Sequence, residues 1–430
     1  MTSPHPQGVS TARGSLSTRA FVAAIFLASV LMPIEFAQSQ TFTVLHNFSN
    51  AGDGGYPFAG VTMDRAGNLY GTTSRGGETN NGAVYKLTQR NGAWFLNPVY
   101  NSFGLGTGTR PDGPVTVGSN GTLYGTTSEG GPGGGGTVLH LTPSPHAPSN
   151  IIAPWTLTSL YDFGGGNDGA SPTGVVLVFD AAGNIYGTTM YGGIGCEPEG
   201  CGTVFKLTPT AQGQWTETIL YQFTGGNDGA WPMSGVIFDG AGNLYGTASN
   251  GGIGTTYCGT AFRLTPSGSG WVETTLYNFG QGSNDACQPA AGLTFDGAGN
   301  LFGTTSCGGP ATNGTVFELT PQPGGSWTET VLYTLSGLNS ACGGPNTGVV
   351  IDAAGDLITA SSYSGSSGGE VFELTPSSGG WRYTELHAFE YSSDGAYPFG
   401  NLLLDGNGNI YGTTSEGGEF GAGTVWKITP

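Results

Sequence analysis

Positive charge is scarce in this chain: 11 lysines and arginines stand against 29 aspartates and glutamates, and charged residues are only 9% of it. No basic stripe forms, which excludes nucleic acid as a partner and disfavours anionic lipid equally. The Ala-Leu-Glu-Lys text of helical proteins is missing, while aromatics at 11% are too plentiful for a disordered chain. Long apolar runs are confined to the first 39 residues. Neither an HExxH zinc motif nor a phosphate loop ending in Gly-Lys-Ser/Thr is present, so metalloprotease and P-loop nucleotide chemistry have no support. The acidity suits solubility outside the cell or attraction of cations, and selects no function.

Glycine is abundant, with 81 residues, and it recurs in order. Residues 183–189 read GNIYGTT, and 202–209 read GTVFKLTP. The first string returns around Tyr70, Tyr124, Tyr186, Tyr245, Phe302, Ile358 and Tyr411, at spacings of 54, 62, 59, 57, 56 and 53 residues. Self-similarity at such a period dictates architecture. Each unit holds four strand-like runs; in the third they are 174–180, 184–189, 203–208 and 215–223. These runs are β-branched and aromatic, and are bounded by Gly, Pro, Asn and Asp. The turn between the first two reads Asp-x-x-Gly-Asn, led by Asp64, Asp180, Asp239, Asp296 and Asp405, which are read as turn caps. The Gly inside the second strand (Gly71, Gly187 and Gly412 among them) is expected to let another backbone pack closely.

Four antiparallel strands per unit, repeated around a ring, predict an all-β, seven-bladed β-propeller. Residues 41–48 (TFTVLHNF) match a fourth strand alone, and 424–429 (TVWKIT) match a third. The N-terminal strand is therefore expected to complete the last blade and close the ring, removing an open edge. An open β-solenoid would not explain the missing outer strand. The second unit, with Gly118 in place of the turn Asp, and the sixth, reading GDLITA at 355–360, should pack less regularly.

Arg13 and Arg19 precede the apolar run at 20–32, and the small residues Ala37 and Ser39 follow. That order reads as a secretory signal peptide over 1–39, with a single propeller over 40–430. The run is short for a membrane anchor of roughly 20 apolar residues. No membrane span is expected once the signal is removed, and the protein is read as a monomer, secreted or periplasmic.

The combination of Asp-Gly-x-x-Pro (Asp53 to Pro57), Gly-Asn-Leu-Tyr-Gly-Thr-Thr (Gly67 to Thr73), Gly-Gly and Gly-Thr-Val-Phe-x-Leu-Thr-Pro (Gly202 to Pro209) resembles the bacterial choice-of-anchor tandem repeat GloVer-containing proteins. The resemblance covers the chain from about Thr41 to Pro430. It implies an exported, repeat-built protein without assigned catalytic residues. Such proteins often end in a sorting anchor; none is visible here, so release or periplasmic residence is expected.

Six cysteines in an exported chain point to disulfides. Cys196 and Cys201 share one loop. Cys258 and Cys307 follow second strands, whereas Cys287 and Cys342 precede first strands. In a propeller those two kinds of loop emerge on one face, so Cys258–Cys287 and Cys307–Cys342 are expected beside Cys196–Cys201. A zinc site competes weakly, because Cys-x-x-Cys spacing and nearby histidines are lacking.

The same face carries Asp53, Asp168, Asp228, Asp285 and Asp394 in the loops before each first strand, with Asp112 in a shortened loop and Ser340 in the sixth unit. One reading is a ring of about six carboxylates around the mouth, suited to Ca²⁺ or a polar ligand. The other, which we favour, is that each Asp caps its own turn; no cofactor is otherwise implied. The position before the loop proline varies, and is aromatic at Tyr56, Trp231 and Tyr397. Tyr56 and Tyr397, with Phe58 and Phe399 nearby, could form a patch for a glycan or peptide; packing of the loops is the simpler account. His46 and His387 occupy the place of the outer-strand Tyr, and Trp155, Trp215, Trp271, Trp327 and Trp381 are read as packing residues. A non-catalytic binding or surface-interaction module for an extracellular glycan or protein ligand is therefore the leading expectation. A polysaccharide hydrolase or lyase is the alternative, with Glu129, Glu197, Glu199 and Glu416 as acids lacking repeat counterparts. A purely structural envelope protein is the third.

Overall fold

The Tyr-Gly-Thr-Thr strands are buried along their whole length, as at Leu69–Thr73 and Ile185–Thr189. Outer strands such as Trp215–Gln222 instead alternate between half-buried and exposed residues at their start. This gradient sets the radial order of each sheet. The computed structural model describes residues 40–144, 155–253, 257–268, 270–282, 284–310, 313–336, 342–363 and 368–430. The signal peptide expected over 1–39, and Ser340, lie outside the described residues. Seven four-stranded antiparallel sheets form the blades of a β-propeller. The first comprises Val61–Met63, Leu69–Thr73, Ala83–Arg90 and Ala93–Tyr100. The seventh comprises Ala396–Leu404, Ile410–Glu416 and Thr424–Thr429, completed by Thr41–Asn47. Thr41 pairs with Thr429 and Asn47 with Thr424. Leu45 is the extra residue of a bulge that Leu220 forms in the third blade. The N-terminal strand thus closes the ring with the register of an ordinary outer strand.

Each residue of the repeat string has a distinct job. Tyr70 and Tyr186 donate their hydroxyls to Asp64 and Asp180 at 3.1 and 3.0 Å. Those aspartates also accept from the backbone and side chain of Asn68 and Asn184, and so are turn caps as expected. Burial opposes ionisation of these carboxyls, but the Asn and backbone hydrogen bonds outweigh it and hold them below their ordinary range. The glycine admits an aromatic side chain of the third strand, where another backbone was expected. A Cβ on Gly187 would lie 2.6 Å from Phe205, and one on Gly412 2.3 Å from Trp426. The first threonine donates to a carbonyl of the next blade, Thr188 to Ser234 and Thr304 to Thr347. The second pairs with a threonine of its own third strand, as Thr189 does with Thr203 at 2.8 Å.

Those threonine bonds explain one difference from the sequence reading. The first strand of blade three is only Val178–Phe179, not 174–180. Near the axis the chain exchanges ladder bonds for side-chain donors from the preceding blade; Thr116, for example, donates to the Leu177 carbonyl at 3.0 Å. The irregular sixth blade has Thr359 at the glycine position, paired with Thr347 instead. All six cysteines are paired, as Cys196–Cys201, Cys258–Cys287 and Cys307–Cys342. Cys287 stands opposite Cys307 in a short extra strand pair, so the last two bridges lie side by side.

The loop aspartates do not converge on the mouth. Asp168 accepts from Tyr161 of the outer strand and from the Gly164 amide, and Asp228 likewise from Tyr221 and Thr224. Asp285 does so with Tyr277 and Gln281. In Asp53 and Asp394 the tyrosine is replaced by His46 and His387, at 3.2 and 2.9 Å. Both oxygens of each carboxylate are engaged by residues four to eight positions earlier in the chain, in its own loop and the outer strand before it, which is the capping arrangement favoured above over a carboxylate ring. Three of these aspartates also face a glutamate on the next blade. Burial, and then Asp168, push Glu217 up to about 8; burial, and more weakly Asp228, push Glu273 up to about 7. Burial and Asp285 raise Glu329 in the same way. Glu217 pairs with Asp168 and Glu329 with Asp285 carboxyl to carboxyl, a contact that needs one retained proton at each seam.

Deleting Thr41–Asn47 leaves Thr424–Thr429 as an open edge; the truncated protein should melt earlier and aggregate, and a synthetic peptide of residues 40–49 should restore the melting temperature. A carboxyl whose folded pKa is raised stabilises fully below its unfolded value, and that contribution is lost as pH climbs through the folded one. The turn aspartates act oppositely at the acid end, so thermal stability should peak at mildly acidic pH, on the order of pH 5, and fall towards about pH 9. The double variant Glu217→Gln, Glu329→Gln should flatten the alkaline limb by about half or more in a melting series.

Candidate functional site

The loop face is built on seven X-Pro-Z corners, one per blade. The residue before the proline is Tyr56, Arg110, Ser171, Trp231, Gln288, Gly344 or Tyr397. Six of these adopt φ between 57° and 59°, a region that glycine occupies freely and bulky side chains avoid. The conformation is clamped from the preceding blade: the Tyr56 amide donates to Ala422, Trp231 to Cys201 and Tyr397 to Gly368, at 2.8, 2.8 and 2.7 Å. Non-glycine residues persist in such a conformation only where the surrounding structure imposes it. The proline then turns the chain inward. The next residue in every blade, Phe58, Asp112, Thr173, Met233, Ala290, Asn346 or Phe399, lines a central cavity of about 450 Å³.

A third variable position follows the Thr-Thr strand, at Arg75, Glu129, Tyr191, Asn250, Cys307, Tyr363 and Glu416. Antiparallel bridges such as Gly55 to Arg75 and Ala396 to Glu416 set it beside the first. The contents differ round the ring. The Arg75 guanidinium lies 5.1 Å from the centre of the Tyr56 ring. Arg110 bonds Glu129 at 2.6 Å and lies 3.5 Å from Asp112. Burial raises the Asp112 carboxyl against the hydrogen bond from Ser128 and the charge of Arg110. Tyr397 packs against Tyr363 at 4.9 Å and edge-on to Tyr391 at 5.9 Å, and Tyr391 donates to Glu416 at 2.8 Å. Phe58 and Phe399 meet edge to face at 5.4 Å across the closure seam. Trp231 donates its indole N–H to the Gly200 carbonyl at 3.2 Å, which fixes the ring over the disulfide loop of blade three.

Tyr363 and Tyr391 are 44% and 42% exposed. Of the nine exposed large hydrophobic residues among those described, only Phe95 and Val272 lie on outer strands; the other seven are in loops of this face. The predicted patch around Tyr56 and Tyr397 is thus centred on Tyr397 and extends to Tyr363 and Tyr391, which the sequence reading missed. Both the position after the proline and the position after Thr-Thr vary visibly between repeats, so the signal was there. Of the predicted loop aspartates only Asp112 lines the cavity. Glu197 and Glu199 are exposed in the loop of Cys196–Cys201, away from that lining. The geometry offers aromatic platforms with hydrogen-bonding edges, and one ion-paired wall.

A family model described as the Gloeobacter/Verrucomicrobia repeat matches residues 30–153, 150–294 and 253–430. Among solved structures the chain is similar to the extracellular domain described as that of a hybrid two component system from B. thetaiotaomicron. The TM-score is 0.53 at 10% identity, covering 90% of this chain and 39% of that one. A structure described as the extracellular domain of a one component system from the same organism gives 0.52 at 10% identity, over 90% and 40%. A protein from Lactobacillus plantarum gives 0.49 at 14% identity, over 81% and 88%. The chain spans about two fifths of the length of the two extracellular domains, and at these identities the likeness is one of fold alone. No curated protein matches it in sequence. The matched stretches run through all seven blades, and the chain belongs to the Gloeobacter/Verrucomicrobia repeat family.

Proposed function

We propose that the protein is an exported binding module that holds an extracellular glycan on its loop face. The observation that carries this reading is the arc of Tyr363, Tyr391 and Tyr397, with the Glu416 carboxylate on its edge. Sugar rings present an apolar face to an aromatic ring and hydroxyls to polar groups beside it, and this arc supplies both. Its rings are held by neighbours or by a clamped backbone, so little side-chain freedom is lost on binding. Three disulfides support a location outside the cytoplasm; secretion or periplasmic residence fits the signal-like N-terminus.

A polysaccharide hydrolase or lyase is the second reading. Its support is Asp112, a carboxyl that burial raises at the wall of the cavity, as a general acid requires. Arg110 stands between Asp112 and Glu129 and ties up both, which places binding ahead of catalysis.

Pull-down on insoluble polysaccharides together with a glycan array tests the proposal. Retention should drop about tenfold in Tyr391→Ala and in Tyr397→Ala, as expected for truncating anchor aromatics. Asp112→Asn should bind like the unmodified protein. Polysaccharide turnover that Asp112→Asn abolishes would instead establish the enzyme.

A further inference from the structure

The central cavity is separate from the tyrosine arc and has a different chemistry. Phe58, Val176, Met233, Ile237, Val350 and Phe399 line it, each half-buried, and together they bring apolar side chains from five blades to one space. Its volume of about 450 Å³ falls within the ~300–1,000 Å³ typical of small-molecule pockets. Apolar surface left facing water there is unfavourable, and a ligand of matching character would recover that cost. The ionic groups on the lining are Arg110 and Asp112, both from blade two.

We propose that this cavity binds a small apolar molecule, aromatic or branched aliphatic, carrying one neutral or cationic hydrogen-bond donor. Phe58 and Phe399 meet edge to face at 5.4 Å and leave their remaining surfaces for a flat body, with Met233 on another blade as an adaptable wall. The preference for a donor comes from charge. The single positive charge of Arg110 is already engaged by Glu129 at 2.6 Å and Asp112 at 3.5 Å, so an anion entering beside them finds no uncommitted cation on the lining. Asp112 accepts from Ser128 through Oδ2 at 2.7 Å, and its Oδ1 is buried without a hydrogen-bond partner. A donor on the ligand would satisfy that acceptor after a small shift of the side chain.

Gly292 gives a clean way to plug the space. It lines the cavity, and a Cβ there meets nothing within 4 Å, so a side chain at 292 grows into the void without displacing the fold. Ala290, on the same wall, is a second plug.

The probe is N-phenyl-1-naphthylamine, a neutral apolar fluorophore with one N–H donor, titrated into the purified protein; 8-anilinonaphthalene-1-sulfonate is its anionic counterpart. The amine should bind saturably with one molecule per chain, and the sulfonate about tenfold more weakly. Gly292→Phe and Ala290→Leu, with unchanged circular dichroism, should each weaken amine binding by about tenfold or more, while Tyr391→Ala leaves it intact. Non-saturable fluorescence, equal affinity for the sulfonate, or full binding by both plugged variants would overturn the proposal. Loss of binding in Tyr391→Ala would also overturn it, by placing the dye on the arc. None of these outcomes depends on glycan retention.

Discussion

The ring is held by one contact repeated at its seams: a phenylalanine ending one blade packs edge to face on the third-strand aromatic of the next. Phe48 meets Tyr85, Phe163 meets Phe205, Phe223 meets Phe262 and Phe279 meets Phe317, with centroids 5.0–5.2 Å apart. Every one of these rings is fully buried. Such pairs add about 0.5–1.5 kcal/mol each beyond the burial of their area. The contact exists only because a glycine on the adjoining strand vacates the volume the third-strand ring fills. Where the repeat departs, the seam departs with it. Blade two has Leu139 at the aromatic position, and a Cβ added at Gly125 would meet it at an ordinary 3.6 Å. In blade six Phe372 tilts against Tyr333 and Tyr383 in place of a phenylalanine from blade five. Closure belongs to the same system: Phe48, which follows the N-terminal strand, supplies the ring that covers blade one.

Much of this was legible in the chain because it is local or because it repeats. The Asp-x-x-Gly-Asn turns contain their own hydrogen-bond donors, so the role of Asp64 or Asp180 can be read within five residues. Ring closure followed from counting strands at the two ends, and the cysteine pairs from knowing which loops share a face. Radial position was not legible. Repetition shows that Asp168, Asp228 and Asp285 are equivalent to one another but not how far from the axis they stand. The tyrosine seven or eight residues earlier, on the outermost strand, draws each of them outward to the seam. The strand glycine failed for a similar reason: its partner is a side chain 14–18 residues later, and nothing in the string says whether the vacated space goes to a backbone or to a ring.

The site was partly legible. Variation before the proline drew attention to Tyr56, Trp231 and Tyr397, whereas equal variation after the proline and after Thr-Thr passed unnoticed. Those positions differ in destination. The positive φ before the proline redirects the side chains along the strand, so that Tyr397 packs in the outer arc and Phe399, two positions on, lines the cavity. A one-dimensional reading merges them into a single patch.

The same corner explains how the face can carry unlike residues on a uniform scaffold. A left-handed conformation costs a bulky residue on the order of 1–3 kcal/mol, yet Tyr, Arg, Ser, Trp, Gln and Tyr adopt it within 2° of one another. The amide of the corner residue reaches the previous blade, and the carbonyl of Tyr56 or Trp231 accepts from both the amide and the hydroxyl of Ser74 or Ser249 of its own blade. These bonds engage only the backbone of the corner residue, so the geometry is indifferent to which side chain stands there. The phenylalanines and threonines that hold the ring together stand at none of the seven corners. The corner residues can therefore differ from blade to blade without disturbing the contacts on which closure depends.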